Sequence, residues 1–412
     1  MTKLNSSMRP SMVALVFTTL FLISTSLALS AQVTVVQSFA GFDGNNSQAA
    51  LLQTMNGQLY GTTVYGGKLN KGTVFEVTTS GVLTTLHSFL EPDGASPWPA
   101  LVNGHDGFFY GTTNFGGAST ACFSGCGTVF KITPTGVLTT LHSFTGGDGA
   151  YPQGGLVQGT DGFLYGATLN LGGGSCALEC GTIFKISPTG GSFFTLHTFT
   201  GGADGGYVYS ALIQATDGNF YGVTFTGGSA DEGTVFQMTP MGVITTIHNF
   251  CTAGSPCPDG GNALGGLVQA SDGFLYGTAP RGGDASCSLG GYTGCGTIFR
   301  ISLSGTSFTV LHDFHYTDGA GPLSRMVQGT DGFLYGVTTN GGSGSACSGG
   351  CGTIYRISPS GPFSLLYNFC SASGCTDGAT PVGGLIQGID GKFYGTTAIG
   401  GASNMGEVYS LP

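Results

Sequence analysis

Asp161-Gly-Phe-Leu-Tyr165-Gly166 decides the fold, because the same phrase returns six more times along the chain. Its copies are Asn56-Gly-Gln-Leu-Tyr60-Gly61, Asp106-Gly-Phe-Phe-Tyr110-Gly111, Asp217-Gly-Asn-Phe-Tyr221-Gly222, Asp272-Gly-Phe-Leu-Tyr276-Gly277, Asp331-Gly-Phe-Leu-Tyr335-Gly336 and Asp390-Gly-Lys-Phe-Tyr394-Gly395. From tyrosine to tyrosine the steps are 50, 55, 56, 55, 59 and 59 residues. That period suits a four-stranded propeller blade and is about twice a β-helix coil.

Working outward from Asp161, a short apolar strand precedes it at Gly155 to Gln158. The Asp-Gly pair tolerates positive φ at its second position and reverses the chain tightly. Phe163 to Leu169 then reads as a second strand, Gly181 to Ser187 as a third, and Phe193 to Phe199, after a Pro-Thr-Gly turn, as a fourth. Strands apolar on both faces belong in sheets covered on both sides, as stacked blades are. The last unit lacks a fourth strand after Glu407 to Leu411. Val33 to Phe39 supplies a match for one, since it resembles Leu83 to Phe89 and is followed by Asp43-Gly44 as Phe89 is by Asp93-Gly94. The expectation is an all-β, seven-bladed β-propeller of four-stranded antiparallel blades, closed by the N-terminal strand completing the last blade.

The combined phrase, Gln-x-x-Asp-Gly-x-Leu-Tyr-Gly followed by Gly-Thr-x-Phe and Pro-x-Gly, resembles the tandem repeat of the GloVer (Gloeo/Verruco) family of bacterial surface and secreted proteins. The likeness covers nearly all of the chain after the leader. It implies an exported, propeller-like repeat protein and brings no set of catalytic residues with it.

Residues 1–30 differ in character from the rest of the chain. Lys3 and Arg9 lead an apolar run at residues 13–23, and Ala28-Leu29-Ser30 offers a signal peptidase its small residues. This reads as a signal peptide ahead of a single domain at 31–412, although an uncleaved anchor could use the same run. Secretion, with no membrane insertion of the mature chain, is the expectation. A net charge of −10 argues against nucleic acid as a partner.

Loops fall into two classes. Those joining the first strand to the second, and the third to the fourth, are short and uniform. The second-to-third loops and the blade-to-blade connections are long and variable. The two classes emerge on opposite faces of the disc, and binding usually resides in variable loops on a rigid scaffold. All twelve cysteines lie in the variable class, as local pairs: Cys122/Cys126, Cys176/Cys180, Cys251/Cys257, Cys287/Cys295, Cys347/Cys351 and Cys370/Cys375. Pairing within each loop is expected of an exported protein. A metal reading would need further ligands, and no histidine recurs beside the pairs.

Two repeated features read as architecture. A histidine recurs in the fourth strand (His87, His142, His197, His248, His312), with Gln37 and Tyr367 in the other blades; catalysis needs one site, not one per blade. Seven Asp-Gly pairs come after those strands at Asp43, Asp93, Asp148, Asp204, Asp259, Asp318 and Asp377, each reading as a turn cap, with cation binding as the rival. One-off residues say more. Arg325 stands in a column otherwise filled by Ala50, Ala100, Gly155, Ala211, Gly266 and Gly384, where seven innermost strands converge. It either plugs the channel or awaits an anion. Trp98, Arg281, Asp284 and His315 are candidates for the rim of a ligand site with Arg325 at its floor, and Glu179, Asp231 and Glu232 are further one-off charges on that face.

The reading that results is a non-catalytic binding propeller for an extracellular glycan, peptide or protein ligand, monomeric, with no cofactor and no metal. A polysaccharide hydrolase or lyase on the same face is the alternative, and needs paired carboxylates or a Tyr/His/Arg cluster converging near the axis. A surface spacer without a ligand is the third. A quinone-dependent dehydrogenase is disfavoured, because Trp98 is the chain's single tryptophan.

Overall fold

The computed structural model describes residues 32–170 and 180–412. The expected leader, Cys176 and Glu179 lie outside the described residues. Seven four-stranded antiparallel sheets make up the unit spanning Ala31–Pro412, with only one short 3-10 turn, Ser373–Cys375, among the described residues. No helix among the described residues is long and apolar enough to cross a membrane.

Blade three shows how the repeated phrase builds each sheet. Its strands, Leu156–Gln158, Leu164–Ala167, Thr182–Ile186 and Phe193–Thr198, pair in chain order, each antiparallel to the next. Between the first two, Gly162 takes a φ of +84°, and the Asp161 carboxylate accepts the Phe163 N–H at 3.1 Å. The same carboxylate accepts the Tyr165 hydroxyl at 2.8 Å. One aspartate therefore closes the turn and anchors the tyrosine that fills the sheet. The glycine after the tyrosine is steric: a Cβ at Gly166 would lie 2.5 Å from the Phe184 ring of the neighbouring strand. At Gly336 the aromatic lying across it is Tyr355, whose hydroxyl would be 2.3 Å from such a Cβ. The Tyr-Gly and Gly-Thr-x-Phe segments of the phrase are thus two halves of one packing contact.

Apolar clusters fill the spaces between neighbouring sheets. Tyr221 and Val235 of blade four, for example, pack with Leu267, Leu275 and Phe299 of blade five. Seven such clusters serve the seven blade-to-blade interfaces among the described residues. On the short-turn face, a glutamine of one innermost strand reaches back to the preceding blade. The Thr160 N–H donates to Gln214 at 2.8 Å, Thr216 to Gln269 at 2.9 Å, Ser271 to Gln328 at 2.9 Å and Thr330 to Gln387 at 2.8 Å.

Closure takes the expected course. Thr34–Ser38 lies antiparallel to Glu407–Leu411, pairing Thr34 with Ser410 and Ser38 with Glu407, and completes the seventh sheet. Its hydrogen-bonding edge is thereby satisfied from the opposite end of the chain.

Candidate functional site: an axial bowl holding one cation

Where the variable connections enter the innermost strands, the seven blades enclose a bowl of about 720 Å³. Every member of the small-residue column lines it: Ala50, Ala100, Gly155, Ala211, Gly266 and Gly384, with Arg325 as the seventh. Small side chains at six positions leave the space, and the long one projects into it. Leu101, Leu264, Leu323, Val382 and Leu385 make the wall largely apolar, and Trp98, Tyr209 and Phe225 add aromatic surface.

Among the described residues, Arg325 is the only charged one in this lining. Among the described residues no hydrogen bond or ion pair engages its guanidinium. The side chain is open to water within the bowl yet crowded by protein on all sides, and that crowding lowers its pKa from the usual value. An arginine side chain in a protein is effectively always protonated. The result is a cation that lacks a counter-ion among the described residues.

Several polar groups elsewhere in the lining are engaged or withdrawn. Gln48 donates to Asn46 at 2.7 Å and Gln153 to Asn114 at 3.2 Å. The hydroxyls of Ser210 and Ser324 and the indole N–H of Trp98 are sealed inside the wall without partners. Burial raises the pKa of the Tyr209 hydroxyl.

The rim candidates separate. Trp98 lines the bowl with Arg325. Arg281 stands one layer out: its guanidinium lies 5.4 Å from the ring of Phe225, which lines the bowl, and 3.3 Å from the ring of Tyr292. It also donates to Asn262 at 2.6 Å. Asp284 and His315 sit together, 3.4 Å apart, and neither lines the bowl. Hydrogen bonds from Ser286 hold the Asp284 carboxyl below its ordinary pKa. No carboxylate among the described residues lines the bowl.

Disulfides fix the loops around this face: Cys122–Cys126, Cys251–Cys257, Cys287–Cys295, Cys347–Cys351 and Cys370–Cys375 are all formed. The last two lie side by side, their four sulfurs within 4.8 Å of one another, so a second-to-third loop and a blade-to-blade connection are stapled next to each other.

A relationship that separate readings of histidine and aspartate miss is that they are partners. His87 meets Asp93 at 2.8 Å, His142 meets Asp148 at 2.8 Å, and His197, His248 and His312 meet Asp204, Asp259 and Asp318 at 3.1 Å. Tyr367 takes the histidine's place against Asp377 at 2.6 Å. Each aspartate also caps its own turn, as Asp93 does by accepting the Leu90 N–H at 2.9 Å. Burial pushes the Asp93 carboxyl up, but the bonds from His87 and Leu90 outweigh it and leave the pKa below the usual value.

Fold and bowl together define a seven-bladed propeller with one ligand-sized axial cavity. The chain belongs to the Gloeobacter/Verrucomicrobia repeat family, whose repeat matches residues 18–216, 123–288 and 285–412. Among curated proteins none matches the sequence. Among solved structures, the extracellular domain of the hybrid two component system BT3049 from B. thetaiotaomicron is similar, with a TM-score of 0.58 and 11% identity over 92% of this chain and 41% of that one. The extracellular domain of the one component system BT4673 from the same organism gives 0.56 and 11%, over 93% and 40%. This chain therefore spans about two fifths of either domain. An oligogalacturonate lyase in complex with manganese gives 0.58 and 10%, over 92% and 93%. At such identities the likeness is one of fold alone.

Proposed function

We propose that this chain is an exported, non-catalytic binding propeller that takes an extracellular ligand in the axial bowl of its variable-loop face. The observation that carries the reading is Arg325, a guanidinium without a partner among the described residues, set among six small residues in a ligand-sized cavity. A structural arginine would be expected to carry its own carboxylate or carbonyl partner, because an uncompensated charge is costly away from bulk water. The cavity's size falls within the range of small-molecule sites. Disulfide-held loops around it fit export to an oxidising compartment and a preformed mouth.

Binding is favoured over catalysis because the described lining holds neither a carboxylate nor a histidine to act as acid or base, and Tyr209 and Arg325 alone do not make up a Tyr/His/Arg cluster. The test is a screen of residues 31–412, produced oxidised, against arrayed glycans and a small-acid library, with each hit repeated on Ala100→Leu, which fills part of the bowl. Hits that Ala100→Leu weakens support the reading. Hits that are indifferent to it move the working site elsewhere.

A further inference from the structure

The bowl's chemistry narrows what can enter it, and this step rests on the reading above. A polyhydroxylated ligand needs a hydrogen-bond partner for most of the hydroxyls it buries, since each one left unmet weakens binding by roughly tenfold. This lining offers few. Gln48 and Gln153 each spend an amide N–H on a neighbouring asparagine, and Ser210, Ser324 and the Trp98 N–H are sealed in the wall. Among the described residues, what remains is chiefly the Arg325 guanidinium and the Tyr209 hydroxyl, facing a wall that is otherwise largely apolar and aromatic. A guanidinium pairs most strongly with a planar two-oxygen anion through parallel N–H bonds.

We propose that the bowl binds a carboxylate carried on an apolar body, with the carboxylate on Arg325 and the body against the aliphatic and aromatic wall. Two sources share this chemistry: a free aromatic or aliphatic acid, and the C-terminal carboxylate of a peptide ending in an apolar residue. A sugar acid carries the charge but brings more hydroxyls than so apolar a wall can meet.

Isothermal titration of the oxidised protein with phenylacetate, N-acetylphenylalanine, phenylacetamide and galacturonate separates these cases. At least one of the first two should bind, and whichever is tighter identifies the source. Phenylacetamide and galacturonate should each be weaker by about tenfold or more, as hydrogen bonds to charged groups imply. Arg325→Ala should weaken the acid by a similar factor and should fold, because six sister blades carry alanine or glycine at this position. Equal affinity for acid and amide, galacturonate binding as tightly as phenylacetate, an unchanged affinity in Arg325→Ala, or no binding of either acid at millimolar concentration would each overturn the proposal. If an arrayed ligand loses affinity in Ala100→Leu but not in Arg325→Ala, this inference fails while the binding function stands.

Discussion

The backbone N–H of Ile389 donates to the side-chain carbonyl of Gln53 at 2.8 Å, joining positions 336 residues apart. It is the same bond that Thr160 makes with Gln214 or Thr330 with Gln387, but here it runs from the last blade to the first. The ring is therefore held at its seam twice, by this clip on the short-turn face and by Thr34–Ser38 at the outer edge of the seventh sheet.

The two devices should differ in weight. Gln53→Ala removes this exposed hydrogen bond and the one Gln53 donates to the Gly57 carbonyl at 3.1 Å, and should cost about 1–2 kcal/mol in denaturant unfolding. Deleting residues 31–40 strips the outer strand, removes Phe39 from its buried cluster and bares the edge at Glu407–Leu411. That truncation should aggregate or lose many degrees of Tm. A truncated chain that stays monomeric and melts like the intact one would count against closure as the source of stability.

Peptide mapping without reduction should recover each of the five described bridges within its own loop, and Cys176–Cys180 as the sixth pair. By the chain-entropy relation each such loop is worth about 2 kcal/mol. The more specific effect concerns Cys287–Cys295, which encloses the small hairpin pairing Leu289 with Tyr292. Reduction should free Tyr292 from Arg281 and raise hydrogen exchange at residues 287–295, while the strands of blade five keep their protection.

Cations on the third strand track the phenylalanine after the Asp-Gly turn. Lys131 lies over Phe108 at 4.5 Å, Lys185 over Phe163 at 4.8 Å, Arg300 over Phe274 at 5.2 Å and Arg356 over Phe333 at 4.6 Å. In the other three blades the third strand carries Glu76, Gln237 or Ser410, and the turn carries Gln58, Asn219 or Lys392 in place of phenylalanine. A double-mutant cycle on Phe333→Gln and Arg356→Gln should give a coupling of about 0.5–1 kcal/mol. A cycle on Gln58→Ala and Glu76→Gln in blade one should give none.

Glu407 stands where the other blades carry a threonine, as Thr73 pairs with Thr63 at 2.8 Å in blade one. It is 0% exposed, neither carboxylate oxygen has a hydrogen-bond partner, and Thr397 beside it is left unpartnered too. Burial and the Asp377 carboxylate raise its pKa to about 8, while Ser38 across the strand pulls weakly the other way. The folded chain thus holds a proton there that the unfolded chain releases above about pH 4.5. Stability from this group is full below that pH and falls as pH rises through about 8, by at most on the order of 3–5 kcal/mol. Glu407→Thr, measured by urea unfolding from pH 5 to 9, should flatten that decline and raise stability at the alkaline end. An unchanged slope would place its origin elsewhere.

Much of this was legible because the repeat is strict. Tyrosine spacing counted the blades, and the likeness of Val33 to Phe39 to the fourth strands located the seam. Arg325 stood out for the same reason, as the one long side chain in a column of alanine and glycine. What sequence could not supply was radius. His315 belongs to the same connection as Arg325 and Asp284 to a loop on the same face, yet they pair with each other and do not line the bowl, because loop membership fixes the face and not the distance from the axis. The histidine–aspartate pairs were hidden by loops of unequal length, with separations from 6 residues at His87 and Asp93 to 11 at His248 and Asp259. The bowl's apolar character was invisible for a different reason: it arises from which hydroxyls the wall seals, and that is decided by packing.

Thr34 and Ser410 lie directly opposite one another in a single sheet. A polypeptide whose two ends meet this way has no obligatory starting point. Joining them with a short linker and reopening the backbone at an exposed short turn, such as residues 134–137, should yield a circular permutant with the same seven sheets. Such a permutant would carry its seam in a different blade, so an attached reporter or tether could be moved around the circumference without rewriting any loop over the bowl.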